Sequence, residues 1–194
     1  MRMTQEDPAH SAAYVQRFRN LAAQGMDLVG EARLVDAMLA RGSRVLNAGC
    51  GPGRVGGYLH DVGHEVVGVD VDPVLIAAAE EDHPGPHWLV GDLADLDLPA
   101  QGGTEPFDAI VSAGNVMTFL APSTRRAVLT RLRAHIAPDG RAAIGFGAGR
   151  GYAFEEFLAD ARAAGWAADL LLSTWDLRPF TPDAEFLVAV LRPA

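Results

Sequence analysis

Cysteine and basic residues are scarce in this sequence of 194 residues. The single cysteine, Cys50, excludes an intramolecular disulfide and any multi-cysteine zinc site. Lysine and arginine together number 16 against 25 aspartates and glutamates, which gives a formal net charge of −9. Because nucleic-acid binders usually carry a basic surface, this balance predicts no nucleic-acid partner.

Long apolar runs are also missing. No segment reaches the roughly 20 consecutive apolar residues that a membrane-spanning helix needs. Residues 1–18 contain no apolar run of signal-peptide length. We therefore expect a cytoplasmic protein with no membrane partner. The hydrophobic share of 49% is ample for one packed core, which predicts a single domain over residues 1–194.

Helix-like and strand-like segments alternate along the chain. Apolar residues at helical spacing predict two amphipathic helices, over 14–22 and 28–39, and further helices follow the same rule or begin at a proline. The turn residues Pro138-Asp139-Gly140 predict the end of a helix. The segment 98–106 is predicted to be a surface loop. The later predicted helices cover 55–59, 73–82, 123–136 and 152–165, and the predicted strands cover 44–48, 65–71, 87–93, 107–114, 141–147, 167–175 and 185–193.

This order predicts an α/β fold. Apolar runs without alternation, such as "EVVGVDV" at 65–71, are typical of strands buried on both faces of a parallel sheet. Only nine residues, 176–184, separate the last two strands. That length is too short for a helical crossover, so these strands should be antiparallel. The sequence therefore predicts one doubly wound, mostly parallel seven-stranded sheet with an antiparallel C-terminal strand.

Two overlapping glycine patterns occur in "RVLNAGCGPGRVGGYL", residues 44–59. The pattern Gly49-x-Gly51-x-Gly53 is typical of a loop that holds the methionine part of S-adenosylmethionine. The pattern Gly51-x-Gly53-x-x-Gly56 matches the dinucleotide pyrophosphate fingerprint. The first pattern places all three glycines in the turn and leaves Gly56 to helix packing, so it is favoured. The second keeps an NAD(P)-linked oxidoreductase as an alternative.

Two aspartates follow predicted strands. Asp70 ends the second strand, where a carboxylate can accept hydrogen bonds from the ribose hydroxyls of either ligand. Asp92 follows the third strand, where its side chain can reach an adenine amino group while Leu93 offers a backbone contact. A turn or helix-cap aspartate is the other interpretation of Asp92.

Together, "VLNAGCGPGR", "VVGVDVD", "WLVGDL", "FDAIVSAGNVMTFL" and the closing hairpin resemble a class I S-adenosylmethionine-dependent methyltransferase over nearly all of residues 30–194. The resemblance implies a Rossmann-like core over 43–194, with the N-terminal helices in 1–42 as a candidate lid. It also implies S-adenosylmethionine as cofactor, bound by Asn47, Gly49, Gly51, Gly53, Asp70, Val71, Asp92, Leu93 and Ala113.

One position departs from the pattern of that family. An acidic residue normally stands where this sequence has Asn47, and the acid helps to hold the cationic amino end of the cofactor. Asparagine keeps an acceptor oxygen but loses the charge, and charge-assisted hydrogen bonds are roughly twice as strong as neutral ones. The departure bears on cofactor affinity and not on the fold.

The topology also predicts where a methyl acceptor would bind. Segments that follow the fourth, fifth and sixth strands emerge on the ligand face of the sheet. Arg150 and Arg178 would suit an anionic acceptor, although surface salt bridges explain them equally well. The candidate acceptor contacts are Asn115, Met117, Arg150, Tyr152, Trp175, Asp176 and Arg178, with Tyr14, Arg17 and Phe18 from helices that form either a lid or packing against the sheet edge.

The sequence identifies no catalytic residue. The six histidines show no metal-pair spacing and are expected at the surface, and only His10, which precedes the candidate lid helix, remains a candidate base. No metal site is predicted. With its acidic charge, the chain is expected to methylate a small molecule, and the further alternative is a non-catalytic sensor that binds S-adenosylmethionine.

Overall fold

The structure, a computed structural model, describes residues 8–98 and 105–194. Most of the loop predicted over 98–106 lies outside this range. Two helices open the described chain, α1 (Pro8–Ala23) and α2 (Gly30–Ala37). The alternating elements that follow are β1 (Arg44–Ala48), α3 (Arg54–Asp61), β2 (Glu65–Asp70), α4 (Pro73–Asp82), β3 (His87–Val90), β4 (Phe107–Ser112), α5 (Val116–Phe119), α6 (Arg125–His135), β5 (Ile136–Gly147), α7 (Phe154–Ala163), β6 (Trp166–Leu172) and β7 (Phe186–Pro193).

The seven strands form one sheet in the order β3-β2-β1-β4-β5-β7-β6. Strands β1 to β5 pair in parallel, and β7 is antiparallel to both β5 and β6. Residue 45 in β1 pairs with Val66 of β2 on one side and with Ala109 of β4 on the other. The predicted doubly wound, mostly parallel fold with an antiparallel hairpin at its end is confirmed.

Helices cover both faces of the sheet, which explains the apolar runs without alternation. In β1, Leu46 packs with the helices that follow β4 and β5, in a cluster that includes Leu129 and Trp166. Its neighbour Val45 packs on the opposite face with Val35 and other residues of the α2 and α3 layer. Successive side chains of one strand point to opposite faces, so both must be apolar when both faces are buried.

Helix boundaries agree with the local chemistry. Proline 73 begins α4, and the Asp72 side chain caps it by accepting a hydrogen bond from the Val74 amide over 2.8 Å. Gly165 follows α7 with φ +86°, a left-handed conformation that ends the helix.

The long helix ends within one residue of its predicted end at 136, but the predicted start of the fifth strand, at 141, is wrong. Helix α6 ends at His135, and β5 begins directly at Ile136, so the turn residues Pro138 to Gly140 lie inside the strand. Phe107 pairs with Ile136 and Ala109 with Arg141, which sets one residue of β4 against four of β5. Because proline cannot donate to a strand ladder, the extra residues bulge out of the pairing.

The four-residue helix α5 was not predicted. It contains too few residues for a helical period to be visible in the sequence. Within residues 8–98 and 105–194, no helix combines the length and apolar character required to cross a membrane.

Candidate functional site

A cavity of about 760 Å³ opens at the carboxyl ends of the central parallel strands. The segments that leave β1, β2, β3 and β4 form its floor, and residues of α1 and α2 complete it. Ligands of open α/β sheets bind at this edge, where the strand order reverses. The volume lies within the range of about 300–1,000 Å³ that is usual for small-molecule sites.

The turn after β1 holds three glycines in the left-handed region. The φ angles are +73° at Gly49, +54° at Gly51 and +83° at Gly53. By contrast, Gly56 lies inside α3, where an added Cβ would stand 2.7 Å from a ring carbon of Trp88. Glycine is needed in the turn for backbone conformation and at position 56 for helix packing. The interpretation that counts from Gly49 therefore describes this loop.

Asp70 ties the glycine turn to the end of β2. Its Oδ2 accepts a hydrogen bond from the Gly51 amide over 2.9 Å, and its Oδ1 accepts one from the Asp72 amide over 3.0 Å. Burial raises the pKa of this carboxyl above its usual value. Each carboxylate oxygen has a second lone pair, so the group keeps acceptor capacity towards the cavity that it lines together with Val71.

Asp92 is a cap residue that also lines the cavity. Its side chain caps a short 3₁₀ turn, Leu93–Asp95, by accepting from the Ala94 amide over 3.0 Å. It also lines the cavity, as do Leu93 and, from the end of β4, Ala113.

The side chain of Asn47 is bonded to the protein at both polar ends. Its Oδ1 accepts from the Gly56 amide over 3.1 Å, and its Nδ2 donates to the Val111 carbonyl over 3.4 Å. The residue lines the cavity but is only 1% exposed. It therefore joins β1 to β4 and to the start of α3, a role that the sequence pattern did not reveal.

Helix α1 lies over the cavity. Tyr14 and Phe18 line it with their rings in an edge contact of 4.9 Å between centroids, and His10 and Arg17 line it as well. Burial raises the pKa of the Tyr14 hydroxyl. The helix is fixed to α4 by the bond from the Ser11 hydroxyl to Asp72. The helix therefore both lines the cavity and packs against α4.

An ion pair that the sequence analysis missed fixes α2 beside the glycine turn. The guanidinium of Arg54 donates to both carboxylate oxygens of Glu31, over 2.7 and 2.8 Å, and also to the Leu28 carbonyl. The guanidinium carbon of Arg54, Cζ, lies 5.4 Å from the centre of the Phe18 ring. Both charged residues line the cavity. Arg54 directly follows the last glycine of the motif, and this position is the signal that could have revealed it.

The cavity contains only part of the predicted acceptor set. Asn115 and Trp175 line it, together with the unpredicted aromatics Phe119 and Phe186. Arg178 is exposed and its Nε lies 3.4 Å from Asp176 Oδ2, so the surface salt-bridge interpretation holds. The predicted contacts that do not line the cavity are Met117, Arg150, Tyr152, Asp176 and Arg178.

Tyr152 is a core residue, and its prediction as an acceptor contact is wrong. It is 1% exposed and stacks on Phe146, with 5.8 Å between ring centroids. Its hydroxyl donates to Asp160 Oδ2 over 3.0 Å, and the Arg125 guanidinium lies 4.0 Å from the ring centre. Met117 is likewise buried, at 1% exposure. From sequence alone, an aromatic residue that follows a strand is equally compatible with the core and with a pocket wall. Tertiary packing determines which of the two positions it takes.

Two of the histidines expected at the surface are also buried. His64 bonds to Asp36 through Nε2 over 2.9 Å, and the Nε2 of His135 accepts from the Leu98 amide over 3.1 Å. In the part of the chain that the structure describes, no group of three histidine, cysteine or acidic side chains is arranged to hold a metal. Burial raises the pKa of the Cys50 thiol well above its usual value, so the thiol stays protonated.

Comparison with known proteins agrees with this geometry. A family model described as "Methyltransferase domain" matches residues 45–140. A crystal structure of a TehB-like SAM-dependent methyltransferase from Corynebacterium glutamicum is 50% identical, covers 97% of this chain and 100% of its own, and superposes with a TM-score of 0.92.

Curated relatives match over shorter stretches. Magnesium-protoporphyrin O-methyltransferase of Rhodobacter capsulatus is 35% identical over 133 residues, 63% of this chain and 55% of the relative. The 18S rRNA (guanine-N(7))-methyltransferase of Bos taurus is 38% identical over 72 residues, 37% of this chain and 25% of the relative. The match thus spans about half or less of these curated relatives.

The NAD(P)-linked alternative is wrong, since the family match and the turn glycines agree on the other ligand. Similarity at 50% identity extends over the whole length of the Corynebacterium protein. From this similarity, the sheet order and the glycine turn, we conclude that the chain belongs to the class I S-adenosylmethionine-dependent methyltransferases and has S-adenosylmethionine as its cofactor.

Proposed function

We propose that the protein transfers a methyl group from S-adenosylmethionine to a small-molecule acceptor bound in the same cavity. The observation that carries this proposal is the continuity of the cavity. It extends from the glycine turn and Asp70 to an aromatic wall that contains Phe119, Trp175 and Phe186. One end suits a polar nucleoside and amino-acid tail, and the other suits an apolar acceptor.

The polar end supplies the groups that a nucleoside with an amino-acid tail requires. The glycines at 49, 51 and 53 let the backbone approach the tail without interference from side chains. The Asp70 carboxylate, which the Gly51 and Asp72 amides orient, would accept from the ribose hydroxyls. Asp92 and Leu93 would contact the adenine end, and the backbone at Ala113 the amino group.

S-adenosylmethionine supplies an activated methyl group on a positively charged sulfur. The chain must therefore align the acceptor with that group and exclude water, and alignment alone contributes several kcal/mol, up to about 7–11 in the best cases. Helix α1 would help to exclude water, because Tyr14 and Phe18 add two aromatic rings to the cavity wall. Burial raises the pKa of Tyr14, so its hydroxyl stays protonated and acts as a hydrogen-bond donor.

The choice of a small molecule over RNA rests on the enclosure and charge of the protein. Some relatives are named as rRNA methyltransferases, but this chain aligns with only 25% of such a relative. Residues of α1 contribute to the walls of the cavity, and the formal net charge is −9. A negatively charged protein repels a phosphate backbone.

Two measurements test the proposal. Thermal denaturation is followed with S-adenosylhomocysteine or with NAD, since a ligand that binds only the native state raises the melting temperature. We expect a shift with S-adenosylhomocysteine alone. Methyl transfer is then screened against a panel of carboxylic acids, phenols, thiols and amines, with total RNA as a separate arm, by release of S-adenosylhomocysteine.

Asp70→Asn is the variant that links the two measurements, and Asp61→Asn, at an exposed position, is its control. Turnover of a small molecule that falls in the first variant and not in the second supports the proposal. Turnover of RNA alone contradicts the acceptor class. Binding of S-adenosylhomocysteine with no transfer to any acceptor points instead to the sensor.

A further inference from the structure

We propose that Asn115 determines which methyl acceptor the protein binds. Its side-chain Nδ2 group would donate a hydrogen bond to an acceptor atom of a flat molecule that lies against Trp175 and Phe186. The inference rests on the proposed function and deepens it by naming a class of acceptor: a planar apolar body with a carboxylate, carbonyl or hydroxyl oxygen. Asn115 lies at the start of α5, between the end of β4 and the cavity.

The backbone of Asn115 is held in an uncommon conformation. Its φ and ψ are 67° and 18°, and the preceding Gly114 is also left-handed at φ +74°. Asparagine is among the few residues that adopt this region at modest energetic expense. Such conformations persist where the surrounding structure enforces them and are enriched at binding sites.

The side chain of Asn115 is not used for its ordinary local purpose. Asparagine at a helix N-cap normally accepts a hydrogen bond from an amide of the first turn. Here no such bond exists in α5, and Oδ1 instead accepts from the Gly147 amide of β5 over 2.8 Å. The side chain therefore connects the ends of two adjacent strands.

This bond fixes which end of the amide faces a ligand. An amide N–H can donate only to the oxygen, so Oδ1 must point at Gly147 and Nδ2 must point away from it. Among the residues that the structure describes, none accepts a hydrogen bond from Nδ2. The amide therefore offers a donor of fixed direction in a residue that lines the cavity. A ligand atom that accepts hydrogen bonds is the matching partner.

The neighbouring wall is flat and aromatic because β5 contains glycine. An added Cβ at Gly145 would stand 3.0 Å from Cε2 of Trp175 and 3.2 Å from Cε1 of Phe186, so both rings lie directly against the strand. Phe186 pairs with Gly147, the residue that orients Asn115. The donor and the aromatic wall are thus built on the same stretch of β5. A planar ring with an oxygen at its edge fits both.

The test uses the full chain saturated with S-adenosylhomocysteine, and benzoate as the probe. Benzylammonium is the matched probe, since it has the same ring but a head group that only donates. Titration calorimetry should show benzoate binding at least ~10-fold tighter than benzylammonium, because hydrogen bonds to charged groups are worth about 1.5–3 kcal/mol.

Two variants distinguish the loss of the donated hydrogen bond from the effect of an added charge. Asn115→Asp keeps the left-handed conformation and the bond from Gly147 but has no N–H to donate. Asn115→Gly keeps the conformation and adds no charge. We expect both to weaken benzoate binding by ~10-fold or more and to leave the dissociation constant of S-adenosylhomocysteine within about two-fold, since each removes the donated hydrogen bond.

Several results would overturn the inference. These are equal binding of the two probes, no benzoate binding to the native protein, or full benzoate affinity in Asn115→Gly. Loss of S-adenosylhomocysteine binding in both variants would also do so, because it would place Asn115 in the cofactor end. Failure of the native protein to bind S-adenosylhomocysteine at all would instead remove the proposed function.

Discussion

The Gly51 amide donates to the Asp70 carboxylate over 2.9 Å, so the turn after β1 and the end of β2 are joined at the point where the cavity opens. This bond orients the carboxylate before any ligand arrives. It also makes Asp70 important for the shape of the glycine turn as well as for ligand contact.

Replacement of Asp70 by asparagine should weaken cofactor binding. Asparagine keeps one acceptor oxygen, whereas the carboxylate accepts from the Gly51 and Asp72 amides and retains capacity for the ribose. We expect the dissociation constant of S-adenosylhomocysteine to rise by roughly 10–100-fold, the equivalent of about 1.5–3 kcal/mol for hydrogen bonds to a charged group. Titration calorimetry of Asp70→Asn and of the control Asp61→Asn measures this dissociation constant. Equal affinities in the two variants would contradict the proposal that Asp70 binds the ribose.

Cofactor affinity should also depend on acid pH through Asp70. Burial raises the pKa of this carboxyl above 3.8, so protonation removes its acceptor capacity at a higher pH than for an ordinary aspartate. Affinity should therefore fall as the pH is lowered through that raised pKa. The free energy of unfolding depends on pH in the opposite direction. Without ligand, Asp70 binds its proton more tightly in the native state than in the unfolded chain, so its contribution to stability declines as the pH rises from 3.8 through the raised pKa. Calorimetry between pH 7 and 4.5 should show a flatter affinity profile for Asp70→Asn than for the native protein.

Two glycines of the turn should differ in their tolerance of alanine. Both have positive φ, but an added Cβ meets nothing within 4 Å at Gly51, whereas at Gly53 it stands 2.9 Å from the Ala79 Cβ and 3.0 Å from Trp88. Gly51→Ala should lower the free energy of unfolding by about 1 kcal/mol through backbone strain. Gly53→Ala adds overpacking of about 1–3 kcal/mol. Urea denaturation gives both values, and a larger loss at Gly51 would be inconsistent with this packing.

Tyr152→Phe should affect stability and not the cavity. The change removes the hydroxyl that donates to Asp160 but keeps the ring between Phe146 and Phe157. We expect a loss of about 1 kcal/mol in the free energy of unfolding. Binding of S-adenosylhomocysteine should be unchanged. A variant of native stability with impaired binding would show that Tyr152 serves the site after all.

The Arg54–Glu31 pair should contribute more to stability than a similar pair at the surface. Its side chains are 20% and 18% exposed, against 51% and 61% for Arg33 and Asp27. Arg54→Ala leaves a half-buried carboxylate without its partner, so we expect a loss of roughly 1–3 kcal/mol, and less than about 1 kcal/mol for Arg33→Ala. Urea denaturation compares them, and hydrogen exchange should report faster opening of residues 8–37 in Arg54→Ala alone. Equal losses in the two variants would show that burial of the Arg54–Glu31 pair adds nothing to stability.

The sheet and the glycine turn were predictable because local chemistry decides them. Glycines at 49, 51 and 53 have conformations that other residues avoid, and Asp70 ends a strand whose apolar run is unambiguous. At the proposed acceptor end, the composition of the cavity wall depends on whether a side chain that follows a strand points into the cavity or into the core. Topology alone did not separate Trp175, which lines the cavity, from Tyr152, which is buried in the core.

Hydrogen bonds and ion pairs between residues distant in sequence could not be predicted either. Asn47 bonds to Val111 and Gly56, and Arg54 to Glu31, and no local pattern specifies such partners. The bulge opposite Asp108 placed turn residues inside β5, because tertiary pairing overrode their local preference.

The closeness of Gly49 to Val116 has a consequence for related sequences. A Cβ at position 49 would stand 2.5 Å from a methyl carbon of Val116, the residue that follows Asn115. The turn after β1 and the start of α5 are therefore packed directly against each other, so the proposed cofactor end and acceptor end of the cavity constrain one another sterically. A larger residue than glycine at position 49 should therefore appear in homologues only alongside a residue smaller than valine at position 116.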